Sequence, residues 1–399
     1  MFSAQGYRWK RLRTISSPTF SSNNLRKVTG TVEECTLELL KHIEEHTSDG
    51  QQIDMLNFYQ EFTLDVIGRI AMGQNESLMF KNPLLPHVKA IFGESRTKLM
   101  MLGAVSPFMI DVLKWFMSRR KNNGNAIMIT VERAVRKRME ERSKDENYSE
   151  EPQDFIDLFL DAKSDDVDLL NNNYSEGYSI KNSHQKISKT LTMDEIIAQC
   201  MVFIIAGFDT TALSLSFTTF LLATHPEIQK KLQEEVDREC PDPEISFDQL
   251  SKLKYLECVM KETLRLYPLA SGANSRTCMK ETTIGDGIRI EKGTHVLANT
   301  WAIHTNPTIW GEDSDEFKPE RWESGDEHFF QKGGYIPFGL GPRQCIGMRL
   351  AYMEEKMLLA HILRRYSFEI GEKTVIPMKL VGRATTQPTS VWMHLVERN

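Results

Sequence analysis

A stretch of 31 residues with one charged side chain, residues 196–226, constrains the fold of this 399-residue chain more than any other feature. Its length and apolar character are those of a membrane-spanning helix. However, six hydroxyl side chains lie between positions 210 and 219. The one charge, Asp209, lies near the middle, where a carboxylate in lipid is costly. The pattern therefore favours the buried central helix of a large globular domain, with Thr192 and Glu195 forming a capping box at its start.

The rest of the chain reads as mainly helical. Apolar residues at three- and four-residue spacing predict helices over residues 32–46, 55–72, 112–142, 227–238, 253–267 and 346–366. Alternation around Gly-containing turns predicts short antiparallel strands between residues 282 and 300, and strands and loops follow residue 366. The Ser-, Asn-, Asp- and Lys-rich residues 162–189 predict a long mobile loop. We therefore predict a mainly α fold with a minor β portion, in one domain over residues 1–399 that divides into parts 1–192 and 193–399.

Composition argues against several classes of protein. The net charge of −6 disfavours a nucleic-acid partner, which needs a basic surface. The six cysteines include no CxxC pair, so neither a zinc site nor a disulfide framework is expected. Residues 1–20 contain no apolar run, so they predict neither a signal peptide nor an anchor helix.

Residues 338–347, which read FGLGPRQCIG, carry the strongest chemical signal. Their glycines permit a tight turn, and Cys345 lies at the start of a predicted helix, whose positive end stabilises a thiolate. Such a thiolate can bind a metal, and Gly347 would let a flat group approach the helix. A buried structural cysteine is the alternative interpretation. A dinucleotide-binding loop does not fit, because Gln344 stands where the third glycine belongs.

This segment resembles the haem-binding signature of the cytochrome P450 family, F-x-x-G-x-R-x-C-x-G, at every fixed position. These positions are Phe338, Gly341, Arg343, Cys345 and Gly347. The resemblance implies the P450 fold, haem b (iron protoporphyrin IX) as cofactor, and Cys345 as the only protein ligand of the iron. It makes residues 193–399 the part that binds haem and oxygen.

Two further motifs resemble the family's buried ion-pair cluster. Glu262 and Arg265 match E-x-x-R and lie one helical turn apart. Residues 317–322 resemble the P-E-R-F segment, with Trp322 in place of the commoner Phe. The resemblance implies that Arg321 joins Glu262 and Arg265 in a structural cluster. Each motif alone would fit a solvated salt bridge equally well.

Residues 206–211, AGFDTT, resemble the oxygen-activation segment of the family's central helix. The resemblance implies that Asp209 and Thr210 are catalytic and deliver protons to dioxygen, and that Gly207 leaves a groove for dioxygen. The alternative is a threonine that bonds the carbonyl four residues earlier, beside a core aspartate.

The resemblance also assigns cofactor and substrate contacts. Trp9 and Arg13 match W-x-x-x-R and, with Arg276 and Arg343, are implied to hold the haem propionates, since arginine offers a planar, permanent charge. Phe338 is implied to cover the sulfur. Residues implied by position alone to line the substrate are Ile205, Ala206, Leu269, Ala270, Ser271, Gly272, Ala273, Arg383, Ala384 and Thr385.

The motifs look most like those of the microsomal drug- and steroid-oxidising branch and its invertebrate relatives. They imply a haem-thiolate monooxygenase that inserts one atom of O2 into a lipophilic xenobiotic, steroid or fatty acid. The implied electron donor is a separate NADPH–cytochrome reductase, and the implied location is the cytosolic face of the endoplasmic reticulum membrane. With no anchor in residues 1–20, we expect a cytosolic protein or peripheral membrane contact, the latter through the uncharged residues 99–110.

Trp9 lies unusually close to the first residue for a member of this family. Relatives carry an anchor, a hinge, helices, strands and a lid loop before this point, so we expect an amino-terminally truncated fold. The alternative hypotheses are a truncated, catalytically incompetent haem-binding relative or partial gene model, and a peroxide isomerase or dehydratase of the same fold. The Asp209–Thr210 pair favours monooxygenation over the isomerase.

Overall fold

The structure, a computed structural model, describes residues 1–47, 50–93, 123–144, 154–161, 190–325, 333–382 and 385–398, and every statement below concerns those residues. The predicted loop over residues 162–189 and the predicted membrane-contact segment 99–110 lie outside them. Arg383 and Ala384, two of the predicted substrate contacts, also lie outside them.

Helices dominate the described chain, as predicted. They are α1 (Gly6–Ser16), α2 (Ser22–Thr47), α3 (Met55–Met72), α4 (Leu85–Gly93), α5 (Asn123–Lys144), α6 (Phe155–Leu160), α7 (Met193–Thr224), α8 (Pro226–Glu239), α9 (Phe247–Leu250), α10 (Lys254–Leu266), α11 (Thr300–His304), α12 (Pro307–Trp310) and α13 (Met348–Arg365). Single 3₁₀ turns occur at Ser17–Phe20, Ser271–Ala273, Pro319–Trp322 and Gly341–Arg343. Together with the small sheets, this confirms a mainly α fold.

Helix α7 runs through the centre of the molecule. It packs against α3, α5, α8, α10 and α13, and nearly all its side chains from Phe208 to Ala223 are buried. The predicted capping box is confirmed, with the Thr192 hydroxyl accepting from the Glu195 amide. Among the described residues it is the one helix long and apolar enough to cross a membrane, yet 61% of its apolar window is buried inside the protein. This burial agrees with the predicted central helix.

Other helix boundaries follow the sequence pattern closely, and the main difference is at the start of α2. Residues 112–122 of the predicted helix over 112–142 lie outside the described residues. α3 has the predicted bounds, and α8 and α10 differ from prediction by one residue at each end. α2 begins at Ser22 instead of position 32, because its first turns are polar and contain Gly30, which hides the apolar spacing. Leu25 and Val28 nevertheless face the core and bury this extension.

The β portion consists of short antiparallel strands that flank the helices. They are β1 (Ile53–Asp54), β2 (Ser275–Thr277), β3 (Thr282–Ile284), β4 (Ile288–Ile290), β5 (His295–Leu297), β6 (Tyr366–Glu369), β7 (Leu380–Gly382), β8 (Thr386–Pro388) and β9 (Trp392–Glu397). Their order is β1-β9-β6, with separate pairs β2-β5, β3-β4 and β7-β8. The predicted strands between residues 282 and 300 are confirmed, and β7-β8 comes against α7 at Asp209.

Candidate active site

The loop before α13 presents Cys345 in a closed turn. The Cys345 amide donates to the Phe338 carbonyl at 2.8 Å, which closes the loop at its base. Gly339 and Gly341 have φ angles of 72° and 73°, a conformation that other residues rarely adopt. A side chain at Gly339 would also meet Asn274 Oδ1 at 3.0 Å. The two glycines therefore allow the turn that the sequence predicted.

The Cys345 thiol is enclosed by protein and yet accessible to solvent. Its side chain is exposed, although burial among protein atoms raises the pKa of the thiol. Hydrogen bonding from the Gly347 amide, the Arg13 charge and the Met348 amide act in the opposite direction and lower that pKa. The sulfur therefore stands among protein atoms, beside the amides at the start of α13, and remains open to contact. That is the donor that haem iron requires from a thiolate ligand.

Several cationic side chains converge near this thiol. The Arg343 guanidinium lies 4.4 Å from the centre of the Trp9 ring and donates to the Ala4 carbonyl at 2.7 Å. Burial, followed by the charge of Arg276, lowers the pKa of Arg343, and Arg13 acts on Cys345. Arg276 is exposed and donates to the Leu340 carbonyl at 3.3 Å. Like charges this close repel each other, so carboxylates between them would be bound favourably, which fits a group with two propionates.

The predicted oxygen-activation segment presents different side chains to opposite sides of α7. Ala206 is exposed, and the Thr210 hydroxyl donates to the Ala206 carbonyl at 2.6 Å. This is the bond that the alternative interpretation expects, and the hydroxyl keeps lone pairs that can accept. Asp209 is fully buried on another face. A side chain at Gly207 would press on Ile67 Cδ1 at 3.2 Å, so this glycine serves the packing of α7 against α3.

Three buried donors hold the Asp209 carboxylate. Thr385 Oγ1 and Gln387 Nε2 each donate to Oδ2 at 2.7 Å, and Gln60 Nε2 donates to Oδ1 at 3.4 Å. Sequence reasoning grouped Thr385 with residues that line the substrate. The structure instead buries it against Asp209.

The Glu262 cluster is fully enclosed. Arg265 donates twice to the Glu262 carboxylate, at 2.8 and 2.9 Å, and Arg321 Nε donates to it at 2.8 Å. The Trp322 indole adds a further bond at 2.9 Å. Phe could not make this last bond, so the departure from the family's commoner residue supplies an extra donor to a buried carboxylate.

His304 links this cluster to the cysteine loop, and sequence reasoning missed it. Its Nδ1 lies 3.2 Å from the Arg265 carbonyl, and its Nε2 accepts from the Ile336 amide at 2.9 Å. Burial lowers the pKa of His304 to about 4, so the ring is neutral and can serve as donor and acceptor at once. A lone histidine in an irregular segment carries no sequence signal for this role.

A second missed feature is a pair of buried carboxyls on α13. Ser214 on α7 donates to Glu355 Oε2 at 2.9 Å, and Thr211 bonds Glu354. Burial raises the pKa of Glu355 to about 8 and that of Glu354 well above its usual range, with Glu355 adding to the latter. Both groups are therefore largely protonated at neutral pH.

The predicted substrate residues occupy mixed positions. Leu269 packs in an apolar cluster with Leu213, Phe217 and Leu264, against which Phe338 also packs. Ile205 is half-buried against the main core. Ala270 and Ser271 are half-exposed, and Ala206 is the most exposed of these residues within the described chain.

Comparison with known proteins agrees with the geometry. The sequence model described as Cytochrome P450 matches residues 1–394. The chain is 62% identical to Putative cytochrome P450 CYP13A10 of Caenorhabditis elegans, across all of this chain and 78% of that protein. It is 57% identical to Putative cytochrome P450 CYP13A1 and 58% to Putative cytochrome P450 CYP13A5 of the same organism, again across all of this chain and 78% and 77% of those proteins.

The match spans nearly every residue, and the accessible Cys345 thiol with the arginines on and beside its loop fits the cofactor of that family. P450 proteins bind haem through a cysteine thiolate and act as monooxygenases. The chain therefore belongs to the cytochrome P450 family.

Proposed function

We propose that this protein hydroxylates a lipophilic small molecule, a xenobiotic, steroid or fatty acid, with electrons from an NADPH–cytochrome reductase. Cys345 is the single protein ligand of the iron in this proposal, and Asp209 and Thr210 carry protons to the oxygen site. The observation that carries it is the accessible Cys345 thiol, with Arg13 acting on it and with Arg343 and Arg276 on and beside the loop that carries it.

Haem bound here supplies the iron centre at which dioxygen is activated. The chain's own part begins at Cys345, whose thiolate is favoured by the Gly347 and Met348 amides and by Arg13. Arg276 and Arg343 would bind the two propionates, and Trp9 holds the Arg343 guanidinium by stacking on it. The Glu262 cluster and His304 fix the segment that leads into the cysteine loop.

Proton delivery belongs to α7. The Thr210 hydroxyl is oriented by its bond to the Ala206 carbonyl, and its oxygen keeps lone pairs that can accept a further hydrogen bond. Asp209, the adjacent residue, is the carboxyl group of this pair, and in this proposal it passes protons on to the oxygen site. Positioned acids and bases of this kind accelerate reactions by roughly a hundredfold to ten-thousandfold.

The reductase and the membrane are the proposed partners. The sequence contains no dinucleotide-binding loop at its one glycine-rich candidate, which favours an external electron donor. The uncharged residues 99–110 would give peripheral contact with the cytosolic face of the endoplasmic reticulum. Polar replacements there should then reduce flotation with liposomes, and unaltered flotation would assign the segment to the core.

The spectrum of the reduced, carbon monoxide-treated protein tests the core of the proposal. Cys345→Ala should abolish the thiolate-type absorption, because no other described cysteine shares its accessible, enclosed position. Cys278→Ala is the matched control, since Cys278 is a half-exposed cysteine on the edge of the small sheets, and it should leave the band unchanged. A thiolate band that survives in Cys345→Ala would refute the ligand assignment.

A further inference from the structure

We propose that the β7-β8 hairpin is a positioning device for the proton relay, because Thr385 and Gln387 clamp one oxygen of Asp209. The inference rests on the proposed function, since it requires Asp209 to carry protons. It adds two positioning residues, neither of which touches the haem or the substrate in this proposal.

The clamp is a closed triangle of hydrogen bonds. Thr385 Oγ1 and Gln387 Nε2 both donate to Asp209 Oδ2 at 2.7 Å, and Gln387 Nε2 also donates to Thr385 Oγ1 at 3.0 Å. The arrangement uses the hydroxyl hydrogen and both amide hydrogens once each. Exposure is 0% for Asp209, 5% for Thr385 and 8% for Gln387, so solvent does not compete for these bonds.

The hairpin that carries the clamp is held in place by contacts other than its bonds to Asp209. β8 pairs with β7 in antiparallel register, with Val381 opposite Gln387 and Gly382 opposite Thr386. The Thr386 amide, between the two clamp residues, donates to the Leu269 carbonyl at 2.9 Å. The clamp therefore reaches α7 from a segment held both by its partner strand and by the turn after α10.

The clamp distinguishes the two oxygens of the carboxylate. Oδ2 takes both short bonds from the hairpin, whereas Oδ1 receives the longer 3.4 Å bond from Gln60 on α3. Lys89 on α4 lies within electrostatic range of Asp209. The two short bonds to Oδ2 restrict rotation of the carboxyl group and so keep Oδ1 on the side of Gln60.

A hydrogen-bond network with a purely structural role would look the same in a static structure. The test therefore separates a structural role from the positioning of Asp209 for proton transfer. The variants are Thr385→Val, which removes the hydroxyl at nearly constant shape, Thr385→Ser, which restores it, Gln387→Met and Asp209→Asn. Gln233→Met is the matched control, because Gln233 is a similarly buried glutamine at 7% exposure that bonds the Tyr366 carbonyl and Ser367 instead.

The first readout needs no substrate and no haem turnover. Thermal unfolding midpoints are measured for each single variant and for each clamp variant combined with Asp209→Asn. Loss of a bond to a charged group should lower the midpoint by about 2 to 4 °C. For residues that bond one carboxylate, the double variant should lose clearly less than the two single losses combined. Additive losses would show that the clamp does not act on Asp209.

The second readout follows the fate of electrons supplied by NADPH–cytochrome reductase to the haem-loaded protein. Dioxygen takes four electrons and four protons to become two waters, or two electrons and two protons to become hydrogen peroxide. The ratio of NADPH oxidised to dioxygen consumed, with peroxide assayed directly, gives the fractions of dioxygen that become water and hydrogen peroxide. Thr385→Val and Gln387→Met should slow water formation about tenfold to a hundredfold and raise the peroxide share, whereas Thr385→Ser and Gln233→Met should behave as wild type.

The outcomes separate this inference from the proposed function. If Asp209→Asn leaves the peroxide share unchanged, Asp209 does not deliver protons. The proposed function is then wrong on this point, and the inference about the clamp fails with it. If Asp209→Asn raises it while Thr385→Val and Gln387→Met do not, the relay stands and the clamp is refuted. An equal rise in Gln233→Met would assign the effect to general loosening of the fold.

Discussion

Replacing Glu355 by glutamine should stabilise the protein at neutral pH and flatten its stability between pH 5 and 8. Glu355 lies wholly inside the contact of α13 with α7, and burial raises the pKa of its carboxyl from 4.5 to about 8. The bond from Ser214, at 2.9 Å, favours the charged form but does not offset that effect. The folded protein therefore keeps a proton that the unfolded chain loses.

The sign of the pH dependence follows from proton binding. Below pH 4.5 both the folded and the unfolded protein hold this proton, and Glu355 then has no pH-dependent effect on the free energy of unfolding. Between pH 4.5 and about 8 the folded state binds more protons, so stability falls as the pH rises. At about 1.4 kcal/mol per pH unit, the loss due to this group reaches about 3 kcal/mol at pH 7.

Glutamine keeps an oxygen that accepts from Ser214 and has no charge to bury. As the pH rises from 4.5 to 7, the free energy of unfolding of Glu355→Gln should therefore increase relative to that of wild type, by about 3 kcal/mol at pH 7. For a chain of 399 residues this corresponds to about 4 °C in the thermal midpoint. The exposed Glu227 provides the control, since Glu227→Gln should leave the pH profile unchanged.

The assay is the unfolding midpoint followed by far-ultraviolet circular dichroism at pH 5, 6, 7 and 8. Ser214→Ala gives a second, opposite check: it removes a donor that favours the charged form, so the pKa of Glu355 should rise further. The stability of this variant should therefore go on falling through pH 8, where the contribution of Glu355 in wild type begins to level off. Identical slopes for wild type and Glu355→Gln would refute the burial argument.

Two further predictions concern the Glu262 cluster and its link to the cysteine loop. Trp322→Phe should lower the free energy of unfolding by about 1 to 3 kcal/mol, because buried Glu262 loses the indole donor at 2.9 Å; a thermal midpoint equal to wild type would contradict this. The pKa of His304 is lowered to about 4, so its contribution to stability is complete above pH 6.5 and is lost as the pH falls through about 4. His304→Gln should accordingly lose less stability than wild type between pH 7 and pH 4.5, and equal losses by circular dichroism would contradict it.

Local pattern was enough to predict the cysteine loop and the central helix. The loop depends on adjacent residues, Gly339 to Cys345, and the length and hydropathy of residues 196–226 predict α7. Contacts between distant positions left no such pattern. Thr385 meets Asp209 across 176 positions, and His304 meets Ile336 across 32, with no periodicity that joins them. These contacts arise only when packing brings separate elements together.

The burial of two polar residues in a helix, Glu354 and Glu355, could not be predicted for a related reason. A carboxylate within an amphipathic helix ordinarily faces solvent, because burial of an unpaired charge is expensive. Glu354 and Glu355 are instead buried, and protonation removes the charge that would make burial prohibitive. Sequence pattern reports polarity but not protonation state, so it assigned these residues no place in the core.

The hydroxyl-rich second half of α7 is explained by the same buried groups. These side chains argued against a membrane span, and the structure shows what several of them bind: each reaches a polar group on a neighbouring helix. The pairs are Thr211 with Glu354, Ser214 with Glu355, Thr218 with Thr263, and Thr219 with Tyr59. With Asp209 bound to β8, α7 is tied in register to α13, α10, α3 and the carboxyl-terminal hairpin. Apolar packing alone would tolerate small shifts of such a helix, whereas directional bonds hold Thr210 and Asp209 at fixed positions relative to the helix that follows Cys345.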